Sequence, residues 1–361
     1  MMPAADLDCL LIADDLTGAC DAGAPLVARG LRTVVPLSAA TAADSRVIAV
    51  STDNRDLPPA GIRESMRAVS RRMAGIAVRL VFAKIDSTLR GNPGCEISAA
   101  MEEFGCRAAV VCPAFPAMLR IVRDGFLQVA GSPEFEPVPL AARLSSVHVA
   151  PYELASAIEG GARVVSLDAE CDADLDRIAA DIFALEGPIL WAGSAGLAGA
   201  LARSLGGTRA FPPRPPRTGP VLFCIGSDHP VTAAQEKTLL AARSVVCAGV
   251  SEAGLDIAAS IGRGSHVLLR IDREICAGTP LRRIASAAPA ALMLSGGDTA
   301  ASVCRALSVE AIELRGELLP GIPLGILRGG DCEGIPVVTK SGGFGTCDAL
   351  IRIADYFSCP N

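Results

Sequence analysis

The chain has 361 residues, half of them hydrophobic but only 4% aromatic, and a net charge of −6. That length is enough for two domains with separate cores built from Ala, Val, Leu and Ile. The acidic balance argues against a general nucleic-acid or anionic-membrane surface, so an anionic ligand would need a local cationic pocket.

Short apolar runs alternate with helical patterns almost throughout. Strands are expected at Cys9–Ala13, 33–37, Val47–Ser51, 80–83, Ala108–Cys112, 163–166 and 188–191, with helices such as 61–73 and 174–185 between them. Residues 206–219 then place four prolines in five positions, Pro212-Pro213-Arg214-Pro215-Pro216, and read as a stiff connector. A second series follows, with strands at Val221–Ile225, 266–271, 290–294 and 309–314. The alternation predicts an α/β fold of two domains, residues 1–205 and 220–361. Each is expected to be a mainly parallel sheet flanked by helices, with a cleft between the two.

The first residues include Asp6 and Asp8 and lack the basic start of a signal peptide. No apolar run approaches the ~20 residues of a membrane span. Thirteen cysteines and three histidines form no CxxC pair and no zinc-ligand spacing. Most of these cysteines (Cys9, Cys112, Cys224, Cys304) sit in apolar stretches, as small core residues do. A reducing cytoplasm and no metal site are the expectation.

The chemistry collects at strand ends. Lys84-Ile85-Asp86-Ser87-Thr88-Leu89-Arg90-Gly91-Asn92-Pro93 follows one apolar run and precedes a helix, a mixture of cations, carboxylate and hydroxyls that fold stability does not require. It suits a small, oxygen-rich anion. Asp14-Asp15, with Thr17 and Gly18, ends the first strand. A helix cap worth about 1 kcal/mol explains one of these residues, whereas the group together points to hydroxyl binding or proton abstraction. Thr52-Asp53-Asn54-Arg55 follows the third strand, and Pro113-Ala114-Phe115-Pro116 with Arg120 follows the fifth. A parallel sheet would bring these four clusters to one edge. The second half carries glycine turns instead: Gly226-Ser227, Ser295-Gly296-Gly297-Asp298-Thr299 and Lys340-Ser341-Gly342-Gly343-Phe344-Gly345. Each is expected to open a helix, where backbone amides and the helix dipole favour phosphate. None matches the GxxxxGK[ST] or GxGxxG pattern.

In order and content these motifs resemble the ATP-dependent four-carbon acid sugar kinases, which phosphorylate compounds such as threonate, erythronate and 3-oxotetronate. The resemblance covers nearly the whole chain and is most specific in the Lys84–Asn92 loop. It implies an acid-sugar domain at residues 1–205 and a nucleotide domain at 220–361, using ATP and Mg²⁺. Asp14, Asp15, Lys84 and Asp86 are then the candidates for catalysis, with one carboxylate serving as base. Thr17, Arg55, Ser87, Arg90, Gly91 and Arg120 are candidates for holding substrate. Ser227, Ser295, Gly296, Gly297, Asp298, Thr299, Ser341, Gly342 and Gly343 are candidates for holding nucleotide. The chain departs from the family at Asp298 (usually Glu), at Gly343 (usually Asn) and at Met118-Leu119 (usually Asn-Gly). The expected partners are an acid sugar and ATP, with no nucleic acid or membrane, and a homo-oligomer left open. Two other readings compete: a non-catalytic sensor derived from such a kinase, and a nicotinamide-dependent dehydrogenase. Against the dehydrogenase, Asp14-Asp15 stands where its glycine fingerprint belongs.

Overall fold

The computed structural model describes residues 7–38, 44–132, 134–206, 217–249, 256–271 and 287–358. In chain order the first strands are β1 (Cys9–Ala13), β2 (Thr33–Pro36), β3 (Val47–Ser51), β4 (Val81–Lys84), β5 (Ala108–Cys112), β6 (Arg120–Arg123), β7 (Phe126–Val129), β8 (Val138–Pro139), β9 (Val147–His148), β10 (Val164–Ser166) and β11 (Ile189–Gly193). Among them run helices α1 (Leu16–Val27), α2 (Pro59–Arg72), α3 (Pro93–Glu103), α4 (Leu140–Leu144), α5 (Leu154–Glu159), α6 (Asp172–Ala184) and α7 (Ala195–Leu205). There follow β12 (Val221–Ile225), β13 (Val245–Gly249), β14 (His266–Arg270), β15 (Ala291–Ser295), β16 (Ala311–Leu319), β17 (Ile322–Arg328) and β18 (Pro336–Lys340). Their helices are α8 (Pro230–Ala242), α9 (Asp256–Gly262), α10 (Gly297–Ala306) and α11 (Ala349–Ser358).

The chain divides into two compact units. One is Met1–Thr33 with Asp44–Ala210, and the other is Val34–Ala43 with Phe211–Asn361. The first holds strands in the order β3-β1-β4-β11-β5-β10-β9, every neighbouring pair parallel. A separate antiparallel ribbon, β6-β7-β8, belongs to the same unit. All residues of β1 and β5 are buried, which is why they read as unbroken apolar runs.

The second unit orders its strands β13-β14-β12-β15-β18-β17-β16-β2. The first five are parallel, and the rest join antiparallel. Strand β2 lies here because Val34, Val35 and Pro36 pair with Glu313, Ile312 and Ala311. The boundaries read from sequence assign that stretch to the first domain. A backbone ladder between segments more than 270 residues apart leaves no local mark. The expected connector at 206–219 falls largely outside the described residues. No helix among the described residues is long and apolar enough to cross a membrane.

Candidate active site

In the first unit, β1, β3, β4 and β5 run parallel, with β11 between β4 and β5. Their polar C-terminal segments therefore share one edge of the sheet. Arg55, just beyond β3, is the hub. Its Nε lies 2.6 Å from Asp14 Oδ2, Nη1 lies 2.9 Å from Asp15 Oδ2, and Nη2 lies 3.7 Å from Asp86 Oδ1. Asp15 also caps α1, its Oδ1 accepting from the Gly18 amide at 2.6 Å while Thr17 Oγ1 donates to Oδ2 at 3.2 Å. The capping and functional readings of this motif thus coexist in one residue. Gly18 lets the parts close up, since a Cβ there would stand 2.7 Å from Asp15 Oδ1 and 3.1 Å from Lys84 Nζ.

Asp86 organises its own loop. It accepts from the Thr88 amide (3.0 Å) and hydroxyl (2.5 Å), and from Arg90 through its amide (3.2 Å), Nε (3.1 Å) and Nη2 (2.6 Å). Leu89 and Gly91 both take positive φ. For Leu89 that is an uncommon backbone state, held by its surroundings. Arg143 of α4 supplies part of the hold, donating to the carbonyls of Leu89 (2.9 Å) and Gly91. Gly91 is required because a Cβ would stand 2.9 Å from the Arg55 carbonyl oxygen. The loop and the Arg55 hub are therefore one construction. Lys84 and Ser87 are buried within it, while the Arg90 side chain stays largely exposed. Arg120 opens β6, donates through Nη1 to the Met118 carbonyl, and feels the charges of Asp86 and Arg90.

The carboxylates are not equivalent. Burial, then Asp15, pushes the Asp14 carboxyl up against the opposing pull of Arg55 and Lys84. Asp14 Oδ1 is buried with no hydrogen-bond partner. Burial also opposes the charge on Asp86, but Arg90, Arg55 and Thr88 hold its carboxyl well below the usual range. An aspartate with that many donors is a poor proton acceptor, whereas Asp14, though its side chain is fully buried, keeps one oxygen without a hydrogen-bond partner.

In the second unit, β12, β15 and β18 are adjacent and parallel, and their last residues fall in register: Ile225 opposite Ser295, and Ser295 opposite Lys340. The glycine segments that follow are thereby brought together. A Cβ on Gly226 would collide with Thr299 Oγ1, and one on Gly342 would collide with Ser227 Oγ. Gly296, at φ +104°, caps α10, which opens at Gly297 and carries Asp298 and Thr299 in its first turn. Ser295 Oγ is buried with no hydrogen-bond partner.

Residues 341–345 differ from expectation, because they do not open a helix: α11 begins only at Ala349. Buried donors keep the segment as a loop. Lys340 Nζ reaches the carbonyls of Ser341 and Gly342 (both 3.1 Å) and Phe344 (3.4 Å), as well as Thr232 Oγ1 at 3.1 Å. Thr232 bonds Gly342 O at 2.7 Å, and Gln235 Nε2 bonds the carbonyls of Phe344, Gly345 and Thr346 at 2.9–3.1 Å. A planar trans peptide points its N–H opposite to its C=O. Drawing these carbonyls inward turns the amides that share their peptide planes the other way. Burial pulls the Lys340 ammonium down to about 7, with Glu236 opposing.

The structure thus gathers Asp14, Asp15, Thr17, Arg55, Lys84, Asp86, Ser87, Arg90 and Gly91 around one hub, with Arg120 at its side. It gathers Ser227, Ser295, Gly296, Gly297, Asp298, Thr299 and the Ser341-Gly342-Gly343 turn at a second place. Sequence reasoning missed Arg143, Thr232, Gln235, the fixing role of Lys340, and the buried Glu96. The only signal for Glu96 was a carboxylate on a helix face otherwise made of Ile97, Ala100 and Met101.

Comparison with known proteins bears on both places. Residues 9–150 match the model of a sugar-binding N-terminal domain, and residues 274–350 that of a nucleotide-binding C-terminal domain. A protein of Bordetella bronchiseptica named D-threonate kinase is 33% identical over 95% of this chain and 96% of its own. A solved Salmonella typhimurium LT2 structure aligns with TM-score 0.76, covering 97% of this chain and 99% of its own. At 19% identity that likeness is one of fold. A solved Bordetella bronchiseptica structure of a domain of unknown function, described as a domain-swapped dimer with bound citrate, is 33% identical with TM-score 0.50 and covers 98% of both chains. The mainly parallel, helix-flanked sheets, the two matched domains and the near full-length identity agree: the chain belongs to the four-carbon acid sugar kinases.

Proposed function

We propose that the protein transfers the γ-phosphoryl group of ATP to a hydroxyl of a four-carbon acid sugar, with a D-threonate-type acid as the favoured substrate. The observation that carries this reading is the half-buried Arg55 hub with its three aspartates beside Lys84 and the Asp86–Arg90 loop. Polyhydroxy acids call for both kinds of group, acceptors for hydroxyls and cations for the carboxylate. The full-length relative named D-threonate kinase supports the choice of acid.

Asp14 is the base, taking the hydroxyl proton at its unpartnered Oδ1. Asp15 and Arg55 hold Asp14 and the sugar hydroxyls in place. Lys84, Arg90 and Arg120 receive the carboxylate or balance the incoming phosphoryl charge, and Asp86 keeps its loop in shape. In the second unit the Gly226, Gly296-Gly297 and Gly342-Gly343 turns offer amides to the phosphates, because side chains there would fill the approach. Mg²⁺ would be held mainly by phosphate oxygens and water, which asks for only one or two protein carboxylates. Asp298 in the first turn of α10 is the residue to hold it, and the ion would supply charge neutralisation during transfer. The Bordetella dimer supports self-association, and the cysteines outside disulfides among the described residues support a reducing cytoplasm.

The test is ADP release with Mg²⁺, ATP and a panel of threonates, erythronates and their 3-oxo forms. Asp14→Asn should depress kcat far more than ATP affinity, and Gly297→Val should remove ATP-induced thermal stabilisation. Acid binding with no ADP above background across the panel would favour the sensor reading.

A further inference from the structure

Glu96 has no part in the roles set out above. It stands in the first turn of α3, 5% exposed, and its Oε1 has no hydrogen-bond partner. The unpartnered Asp14 Oδ1 belongs to the same charge cluster. Two buried carboxylate oxygens without donors are costly as a pair, and a proton on one removes a charge while creating a donor.

The surrounding charges leave nothing to hold Glu96 as an anion. Asp14 and Asp86 act on it with one sign, Arg55 and Lys84 with the other, so its neighbours already balance. Arg55 is spent on three aspartates. Of the elements packed on α3, β5 and β11 contribute no charged side chain, and β4 contributes Lys84. On α2, Arg67 pairs with Glu103 at 3.4 Å, and Arg63 acts on the same Cys95 thiol as Glu96 and Glu102 but is not among the charges that act on Glu96. On α4, Arg143 is occupied with the Leu89 and Gly91 carbonyls. Burial, then Asp14 and Asp86, lifts the Glu96 carboxyl to about 8 against Arg55 and Lys84.

We propose that Glu96 is a charge-positioning residue: held as a neutral acid, it adds no further negative charge beside Lys84 in the site for an anionic substrate, and its ionisation closes the site to acid sugars. An ionised Glu96 would take the Lys84 cation for itself and repel the incoming carboxylate. A bound carboxylate in turn makes Glu96 harder to ionise, so binding above neutrality takes up a proton. This inference rests on the acid-sugar reading of the site.

Two measurements test it. Titration calorimetry with D-threonate from pH 6.5 to 9.5 should show affinity falling about tenfold between pH 7 and 9, as the protonated fraction drops to roughly one in eleven. In turnover the same loss of affinity should appear as a rise in KM and spare kcat. Glu96→Gln, permanently neutral, should bind with little pH dependence and exceed the wild type at pH 9. Independently of any ligand, ¹³C-carboxyl NMR of the glutamate-labelled wild type should show one signal, absent in the Gln variant, titrating well above the usual carboxylate range. A Glu96 signal titrating near 4 to 5 overturns the inference on the wild type alone, whatever the variant does. An identical rise in Kd with pH for wild type and Gln variant overturns it as well. Failure to bind any four-carbon acid at pH 7 overturns the substrate reading and this inference with it, and the NMR titration distinguishes that failure from an error about Glu96 itself.

Discussion

Replacing Arg55 with methionine keeps most of the stem volume and removes the charge that three aspartates share. Two of the lost contacts are short, 2.6 Å to Asp14 and 2.9 Å to Asp15, and the third is 3.7 Å to Asp86. Removing one partner of a buried ion pair costs about 3–5 kcal/mol, because the other charge stays behind. The Arg55 side chain keeps 21% of its surface exposed, which places the expected loss near the lower end, about 3 kcal/mol. For a unit of this size that corresponds to a fall in Tm of roughly 6–12 °C. The loss depends on pH with a definite sign. Burial and Asp15 already raise the Asp14 carboxyl, and without Arg55 it rises further. A folded-state pKa above the unfolded one contributes stability that is present in acid and is lost as pH rises through the folded value. The deficit of Arg55→Met should therefore be smaller at pH 5 than at pH 8. Calorimetric scans at the two pH values are the assay, with D-threonate affinity measured alongside. A Tm within 2 °C of wild type at pH 8, or a deficit equal at both pH values, would refute the hub argument. Arg55→Lys, which keeps charge but loses the fork, should fall between the two.

Other consequences are as direct. Gly91→Ala places a Cβ 2.9 Å from a backbone carbonyl at a φ of +74°. It should weaken acid binding at least about tenfold, the loss of one charge-assisted hydrogen bond, and leave ATP affinity alone; equal loss for both ligands would mean a general folding defect. Gly226→Ala meets Thr299 Oγ1 and stands 2.9 Å from the Ile271 carbonyl oxygen, which cannot swing aside. Thermal stabilisation by Mg-ATP should vanish while that by acid sugar persists, and retained ATP stabilisation would remove this turn from the cradle. Lys340→Met strips the Ser341, Gly342 and Phe344 carbonyls of a shared donor. It should lower ATP affinity and Tm together, and an unchanged hydrogen-exchange pattern in that loop would show that Thr232 and Gln235 suffice.

Most strands that carry the site were legible because they are short, largely apolar runs emptying into a polar or glycine-rich segment; β18, Pro336-Val337-Val338-Thr339-Lys340, breaks that pattern and was not among the expected strands. Buried parallel strands leave that mark without help from the rest of the chain. The local motif also carried its own explanation at Asp15, where N-cap spacing and acidic chemistry coincide. Three things needed the tertiary structure. Strand β2 joins the second unit through pairing with β16, and backbone ladders between distant segments are blind to side-chain type. The 341–345 turn stays a loop because Lys340, Thr232 and Gln235, from two elements more than 100 residues apart, hold its carbonyls. A local reading of small residues before a helix misplaces that helix's start. Glu96 looks in sequence like an ordinary acid in a first helical turn. Only the packing of α3 in the folded first unit buries it and leaves its Oε1 without a hydrogen-bond partner, and burial, not residue type, decides whether a carboxyl keeps its proton.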